Sequence, residues 1–476
     1  MVLPVALLLS ALAVEDPLPE PGPAITRAAL EHHLRFLASD ELLGRAAATP
    51  ESARVSAYLA RALERAGVEP GGEDGYFQPV PLVVTEYSAT PEFILGEGED
   101  AERLTEYGTS FSLRTYGDPK DTPVLRTLAV HEFEDLPAEP DAGVALIMQS
   151  SRMRSTKWLE KRGHDGGAGW GLVVRVFPDR ESGRSTGIPS SSLTTPDRAS
   201  EDLPEQVTVY GEVARRLWDG DVEHVSLVTH GERRRVDERN VVGLVRGAGA
   251  AQQPGLEKQV IVLSAHFDHV GVVPGAKGEE GEEGEDRIRN GADDDASGTA
   301  VLLELAEAFA AGPPPARTVL FLFCAAEERG MLGTYYWADR PTVPLADIVC
   351  NLNLEMLGMP DPIMDGPGKP WLTGFERSNL GPAFNEHGVE IGADRRPEQS
   401  FFTRSDNIVF VKKGIVGQTL STGGANPNYH QVTDEADTLD YDHMKACADL
   451  ALAAARLLAD GSITPTWNEG EPKLGR

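Results

Sequence analysis

The chain has 476 residues, too many for one ordinary hydrophobic core, so two domains are expected. Its 75 acidic residues against 44 basic ones give a formal net charge of -31, which argues against nucleic acid or an anionic membrane surface as a partner. Three cysteines, Cys324, Cys350 and Cys447, exclude a disulfide scaffold, and Cys324 and Cys350 fall in or beside apolar runs, as buried free thiols do.

The first residues, MVLPVALLLSALAVEDP, have a short apolar core and a small-x-small end at Ala11-Leu12-Ala13. Residues 1–14 therefore resemble a secretory signal, although no basic residue precedes the core, and export to the periplasm or exterior is the expectation. The run is too short to span a bilayer, and no later segment is long enough. After a Pro-rich spacer, Ile25 to Ala38 reads as a helix with Leu30, Leu34 and Leu37 on one face. His32 and His33 on that helix have no acidic partner at ligand spacing and are expected at the surface. A second helix follows, with Val55, Tyr58, Leu59, Ala62 and Leu63 inward and Gly67 as its stop. Tyr76 to Val84 is extended, and its prolines place it at an edge. These segments form the N-terminal part of a catalytic domain, residues 24–84.

From about residue 85 to 235 the texture changes to short strands, among them Gly143 to Met148 and Gly171 to Val176, with helical patterns around Thr156 to Lys161 and Tyr210 to Leu217. No set of His, Cys and carboxylates stands there at metal-ligand spacing, so this portion reads as an inserted α+β domain without chemistry of its own. Trp158, His164 and Trp170 are assigned to packing or surface roles. The acidic repeat Gly278 to Asp286 and residues 461–476 read as a solvated loop and a flexible tail.

The catalytic portion, residues 236–460, is organised around Val260 to Gly330. Val260 to Ala265 and Val319 to Cys324 are continuous apolar runs, as strands buried on both faces require, and Ser297 to Ala311 between them has helical spacing and ends at Gly312 and three prolines. The unit is βαβ, and the fold class is α/β: a three-layer, mostly parallel sheet with helices on both faces, plus the inserted domain. Ligands of such sheets bind beyond the carboxyl ends of the strands. His266 and Asp268 stand past one end, Glu327 and Glu328 past another, and Glu355 ends a third run, IVCNLNLEM. Asp293, Asp294 and Asp295 open the helix, and His430 follows the predicted strand Gly414 to Leu420.

The possible metal ligands are thus His266, Asp294, Glu328, Glu355 and His430, a mixed His and carboxylate set suited to zinc or a similar divalent ion such as cobalt or manganese. Two such ions lower the pKa of water to about 7. Glu327, left over beside Glu328, would serve as general base and acid. Asp268 would accept the second ring proton of His266 and fix its tautomer. A lone His-x-Asp, a lone Glu-Glu pair or an Asp run at a helix start is ordinary surface or capping chemistry. The coincidence of four such elements at strand ends favours a metal centre. His269, His387 and His443 lack that setting and are read as structural or surface residues.

The ordered series SAHFDHVG, NGADDDASG, CAAEERG, NLNLEMLG and PNYHQVTD resembles the signature of the dizinc aminopeptidase family, peptidase family M28, which also includes glutamate carboxypeptidases and glutaminyl cyclases. FLASDELLGR, GYFQPVPL, FFTRSDN and KKGIV are similar to segments of bacterial members that carry an inserted protease-associated domain. The resemblance implies a dizinc exopeptidase, most simply an aminopeptidase acting on peptides, with His266 and Glu355 on one zinc, Glu328 and His430 on the other, and Asp294 between them. It implies a cis bond after Asp294, a carbonyl-polarising role for Tyr429 and a substrate contact for Arg404. Many members have Asp where Glu355 stands, and the extra methylene could alter metal preference. A single-zinc cyclase, a carboxypeptidase of the same fold and a catalytically silent receptor-like binding protein are the alternatives.

Overall fold

The computed structural model describes residues 18–114, 120–149, 152–180, 192–195, 203–273 and 286–468. The leader-like residues 1–14, nearly all of the acidic repeat and the tail from 469 on lie outside them. Two helices open the described chain. In α1 (Arg27–Leu37) the Thr26 hydroxyl caps the N-terminus by accepting from Ala29 N–H. Helix α2 (Pro50–Ala66) starts on a Thr49 cap with proline in its first turn, and Gly67 ends it with φ 77°, a left-handed value that glycine adopts without strain. The apolar stripes of both helices pack on the main sheet's core.

Among the described residues that sheet has ten strands. Its centre is built from β3 (Val260–His266), β4 (Thr318–Cys324), β5 (Ile348–Glu355) and β6 (Val416–Ser421), in the order β6, β5, β3, β4, all parallel. Antiparallel flanks complete a mixed sheet. Strand β2 (Gly231–Val245) pairs with β4, and β1 (Phe77–Tyr87) pairs with β2 from Phe77 to Tyr87. Ser192–Thr194 joins β1 only at Val83 to Thr85. Among the described residues, Pro79 and Pro81 therefore sit where β1 has a partner on one side alone, as suits a residue without an N–H donor.

Strands β3 and β4 are buried along their whole length. Between them runs α3 (Gly298–Ala310), nearly all of it buried against β3, β5, α1 and α2. Helix α5 (Tyr441–Ala459) lies beside α1 and α3, and α4 (Asn407–Lys412) covers the opposite face over β5 and β6. The βαβ crossover thus delivers the C-terminal ends of β3, β4, β5 and β6 to one rim.

Among the described residues, a second sheet of eight strands collects strands from Glu92–Leu95 to His224–Val228 around its own cores. Trp170 and His164 are buried there, with the Trp170 indole N–H donating to His164 Nδ1 at 3.4 Å. They are packing groups of that sheet. No helix among the described residues is long and apolar enough to cross a membrane.

Candidate metal centre

His266 is the last residue of β3, fully buried, and Thr299 Oγ1 donates to its main-chain carbonyl at 2.7 Å. Asp294 lies in the turn before α3, in a peptide linkage to Asp295 that is cis, as the resemblance implies. The carboxylates of its neighbours are engaged elsewhere. Asp293 accepts from Gly358 N–H and from Asn426 Nδ2, both at 2.8 Å, and Asp295 accepts from Met356 N–H at 2.9 Å and Gly298 N–H at 3.1 Å. Only Asp294 of the three aims its carboxylate at the histidines, with Oδ1 3.4 Å from His266 Nε2 and Oδ2 3.1 Å from His430 Nε2.

Two sets of donor atoms share Asp294. One comprises His266, Asp294 and Glu355, and the other His269, Asp294, Glu328 and His430, the atoms in each lying within 4.8 Å of one another. His430 Nε2 is 3.1 Å from Glu328 Oε1. Glu327 Oε2 stands 3.9 Å from His266 Nε2, beside the cluster and outside both sets. Atoms at such distances would ordinarily be hydrogen-bonded, yet Asp294 Oδ2, Glu328 Oε1, His430 Nε2 and both ring nitrogens of His269 are buried without a hydrogen bond. Buried polar atoms left in that state are rare, and lone pairs converging on one point are what a cation needs. The donor set fits divalent ions of the zinc class.

The same crowding governs the protons of the metal-free cluster. Burial pushes Asp294 up, but the neighbouring imidazoles of His266 and His430 overcome it and hold its carboxyl well below the usual range. Burial would lower His430, yet Asp294 and Glu328 raise it to about 9. Burial pushes Glu327 well above the carboxylate range, with Asp406, Glu355 and Glu328 adding to the effect and His266 opposing it. Glu355 is pushed to about 7, chiefly by burial.

Sequence reasoning missed three neighbours. His269 is fully buried, with Nδ1 2.9 Å from Glu328 Oε1 and 3.8 Å from Asp294 Oδ2; the signal was its place in His-x-Asp-His. Its ring lies over Gly291, where φ is 58° and a Cβ would come within 2.5 Å of the imidazole. Asp434 accepts from the N–H groups of Asp293 and Asp294 at 3.0 and 3.2 Å. Arg45, fully buried and carried by the segment between α1 and α2, donates to the carbonyls of Leu37, Phe267, Asn290, Gly291 and Asp294.

The expected part of Asp268 needs correction. His266 Nδ1–H donates to the main-chain carbonyl of Asp268 at 3.1 Å, while its carboxylate, 3.9 Å from that nitrogen, accepts from Glu327 N–H at 2.9 Å. A chain leaving a strand end turns its carbonyl toward the preceding ring, so the carboxylate is free to fix the next strand's exit. Asp268 thus holds the backbone of Glu327. His33, read as a surface residue, is fully buried instead.

Beside the cluster opens a cavity of about 280 Å³ lined by Glu355, Trp371, Phe401, Arg404, Thr419 and Tyr429, among others. Tyr429 stacks on His430 with ring centroids 3.9 Å apart, and its hydroxyl stays protonated because burial and the carboxylates of Asp294, Glu328 and Glu355 push its pKa up. The Arg404 guanidinium lies over the Phe401 ring, 5.2 Å from its centroid.

Residues 240–455 match the family model described as Peptidase family M28. Leucine aminopeptidase 1 of Emericella nidulans is 27% identical over 234 residues, 45% of this chain and 55% of that protein. The chain spans about half the length of the curated relatives it matches. Among solved structures, an aminopeptidase from Aneurinibacillus sp. strain AM-1 superposes with a TM-score of 0.60 at 18% identity, over 94% of this chain and 95% of that one. A zinc aminopeptidase from Bacillus subtilis does so with a TM-score of 0.52 at 16% identity, over 96% and 100%. Both likenesses are of fold.

Proposed function

We propose that the chain, whose residues 240–455 match the model of peptidase family M28, is a zinc-dependent exopeptidase, an aminopeptidase that releases N-terminal residues from peptides. The observation that carries the reading is the set of buried donor atoms around Asp294 that lack hydrogen bonds. His266 and Glu355 would hold one ion, Glu328 and His430 the other, and Asp294 would reach both. Bound there, divalent ions supply Lewis-acid polarisation of the scissile carbonyl and make water acidic enough to deprotonate near neutral pH.

The protein's own groups do the rest. Glu327 takes the proton of the attacking water and gives it to the leaving amine; a carboxyl raised by burial suits a group that must both accept and donate near neutrality. Asp268 keeps Glu327 in place through the N–H bond described above. Tyr429, held protonated, donates from its hydroxyl to the carbonyl oxygen as negative charge builds there. The cavity beside Glu355 receives the side chain of the departing residue, and its apolar wall of Trp371 and Phe401 suits a hydrophobic one. Arg404, on the same wall, contacts the substrate main chain. A substrate α-ammonium finds Glu355 on the cavity wall, whereas a terminal carboxylate would find Arg404 as the one cation among the described lining residues.

Residues 85–235 are included in the proposal as a protease-associated-like insert without catalytic groups. The leader-like composition of residues 1–14 supports export as part of the same reading. The test is hydrolysis of unblocked against N-acetylated aminoacyl anilides, with zinc, cobalt or manganese supplied. Cleavage confined to the unblocked series is expected. Cleavage of neither series, or cyclisation of N-terminal glutamine instead, overturns the aminopeptidase assignment.

A further inference from the structure

A second place in the described residues has buried ligand-type atoms facing one another without hydrogen bonds, and it is not part of the catalytic cluster. His33, on α1, is fully buried; Glu304 and Glu307, nearly one turn apart on α3, are 4% and 5% exposed. His33 Nε2 lies 3.3 Å from Glu304 Oε1 and 4.0 Å from Glu307 Oε1. Neither His33 Nε2 nor Glu304 Oε1 makes a hydrogen bond. Two donors on one tetrahedral ion, each bonded at about 2.1 Å, stand roughly 3.4 Å apart. The separation therefore matches ligands of a common cation, and it repeats the 3.1 to 3.4 Å spacings around Asp294.

The surroundings favour the same reading. His33 Nδ1 is 2.6 Å from the Tyr58 hydroxyl. With Nδ1–H donating to that oxygen, Nε2 turns its lone pair toward the carboxylates, the arrangement by which metal-ligating histidines are oriented. Ionised together, the two carboxylates would bring two negative charges into a nearly buried place, where uncompensated charge is costly. Burial, with Glu304 adding to it and Arg65 opposing, pushes Glu307 up to about 8. A dication held between them would balance both charges.

We propose that His33, Glu304 and Glu307 hold a divalent cation of the zinc or manganese class, a structural site that ties α1 to α3 and is separate from the catalytic centre. Helix α3 begins just after the turn that carries Asp294, and the proposed site lies further along it.

The test uses the full chain, stripped with a chelator and reloaded with zinc or with manganese. In crystals of each form, diffraction at the metal's absorption edge is expected to give an anomalous peak between His33 Nε2 and the two carboxylates. No peak there with either metal overturns the proposal. In solution, His33→Gln is expected to carry one zinc fewer per chain than the parent, to unfold at lower temperature and to keep its hydrolytic rate within about twofold. Equal zinc content in the two proteins also overturns it. Should His33→Gln fail to fold, the anomalous map of the unmodified chain still decides.

Discussion

Replacing Arg45 with Met tests whether the N-terminal segment builds the metal centre or merely packs near it. The guanidinium is fully buried and donates to five main-chain carbonyls, of Leu37, Phe267, Asn290, Gly291 and Asp294. Methionine keeps most of the apolar stem and loses every donor. Removing one side of a buried charged network costs about 3–5 kcal/mol, because the stranded carbonyls outweigh the desolvation of the arginine that is regained. Arg45 also balances Asp294, Asp434, Asp295 and Asp268, the carboxylates that interact with it most strongly. The turn holding Asp294 should therefore loosen as well as the fold. Urea unfolding followed by tryptophan fluorescence, with chelator competition for zinc, reads both effects. We expect an earlier unfolding midpoint and zinc affinity down about 10- to 100-fold, as when groups that orient ligands are lost. Arg45→Lys, with one nitrogen in place of three, should fall between. A midpoint and an affinity both unchanged in Arg45→Met would refute the reasoning.

Three further outcomes follow from the same geometry. Glu327→Gln keeps the size of the side chain and removes the base, so kcat should drop by about 10²–10⁴ while zinc content stays at the parent level; equal loss of metal and rate would make Glu327 a ligand instead. His269→Ala removes the imidazole 2.9 Å from Glu328 Oε1 and should weaken zinc binding by about 10- to 100-fold in the same competition assay. His443 accepts from Gly368 N–H at Nδ1, 2.7 Å away, and burial lowers its pKa to about 4. The unfolded chain binds that proton near pH 6.5 and the folded chain only near 4, so stability from this group is complete above 6.5 and declines as pH falls between the two. The loss approaches about 3 kcal/mol. His443→Gln should flatten that part of the stability profile, and an unaltered slope would contradict the assignment.

The strands that carry the centre were legible because burial on both faces leaves a continuous apolar run, as in Val260–His266 and Thr318–Cys324. The turns after them were legible because functional side chains must leave a buried strand where it ends. Strand β2, Gly231–Val245, was not, because its first seven residues, GERRRVD, are exposed or half-buried and are held by pairing with β1 rather than by an apolar stripe. Similarly, His33 had no visible partner because Glu304 and Glu307 are remote in sequence and meet it only when α1 packs on α3. Asp268 shows a finer limit: spacing placed it beside His266, but whether its carbonyl or its carboxylate reaches the ring depends on how the chain leaves the strand.

The central claim is that the donors around Asp294 hold ions on which hydrolysis depends. Stepwise return of zinc to the chelator-stripped protein, with cleavage of an unblocked leucyl anilide followed at each addition, tests it most directly. The stripped protein should be inactive and should regain its rate as zinc binds, while His430→Ala, which removes a proposed ligand, should not recover at the same zinc concentrations. Full activity in the stripped protein, or a rate indifferent to added metal, would contradict the account.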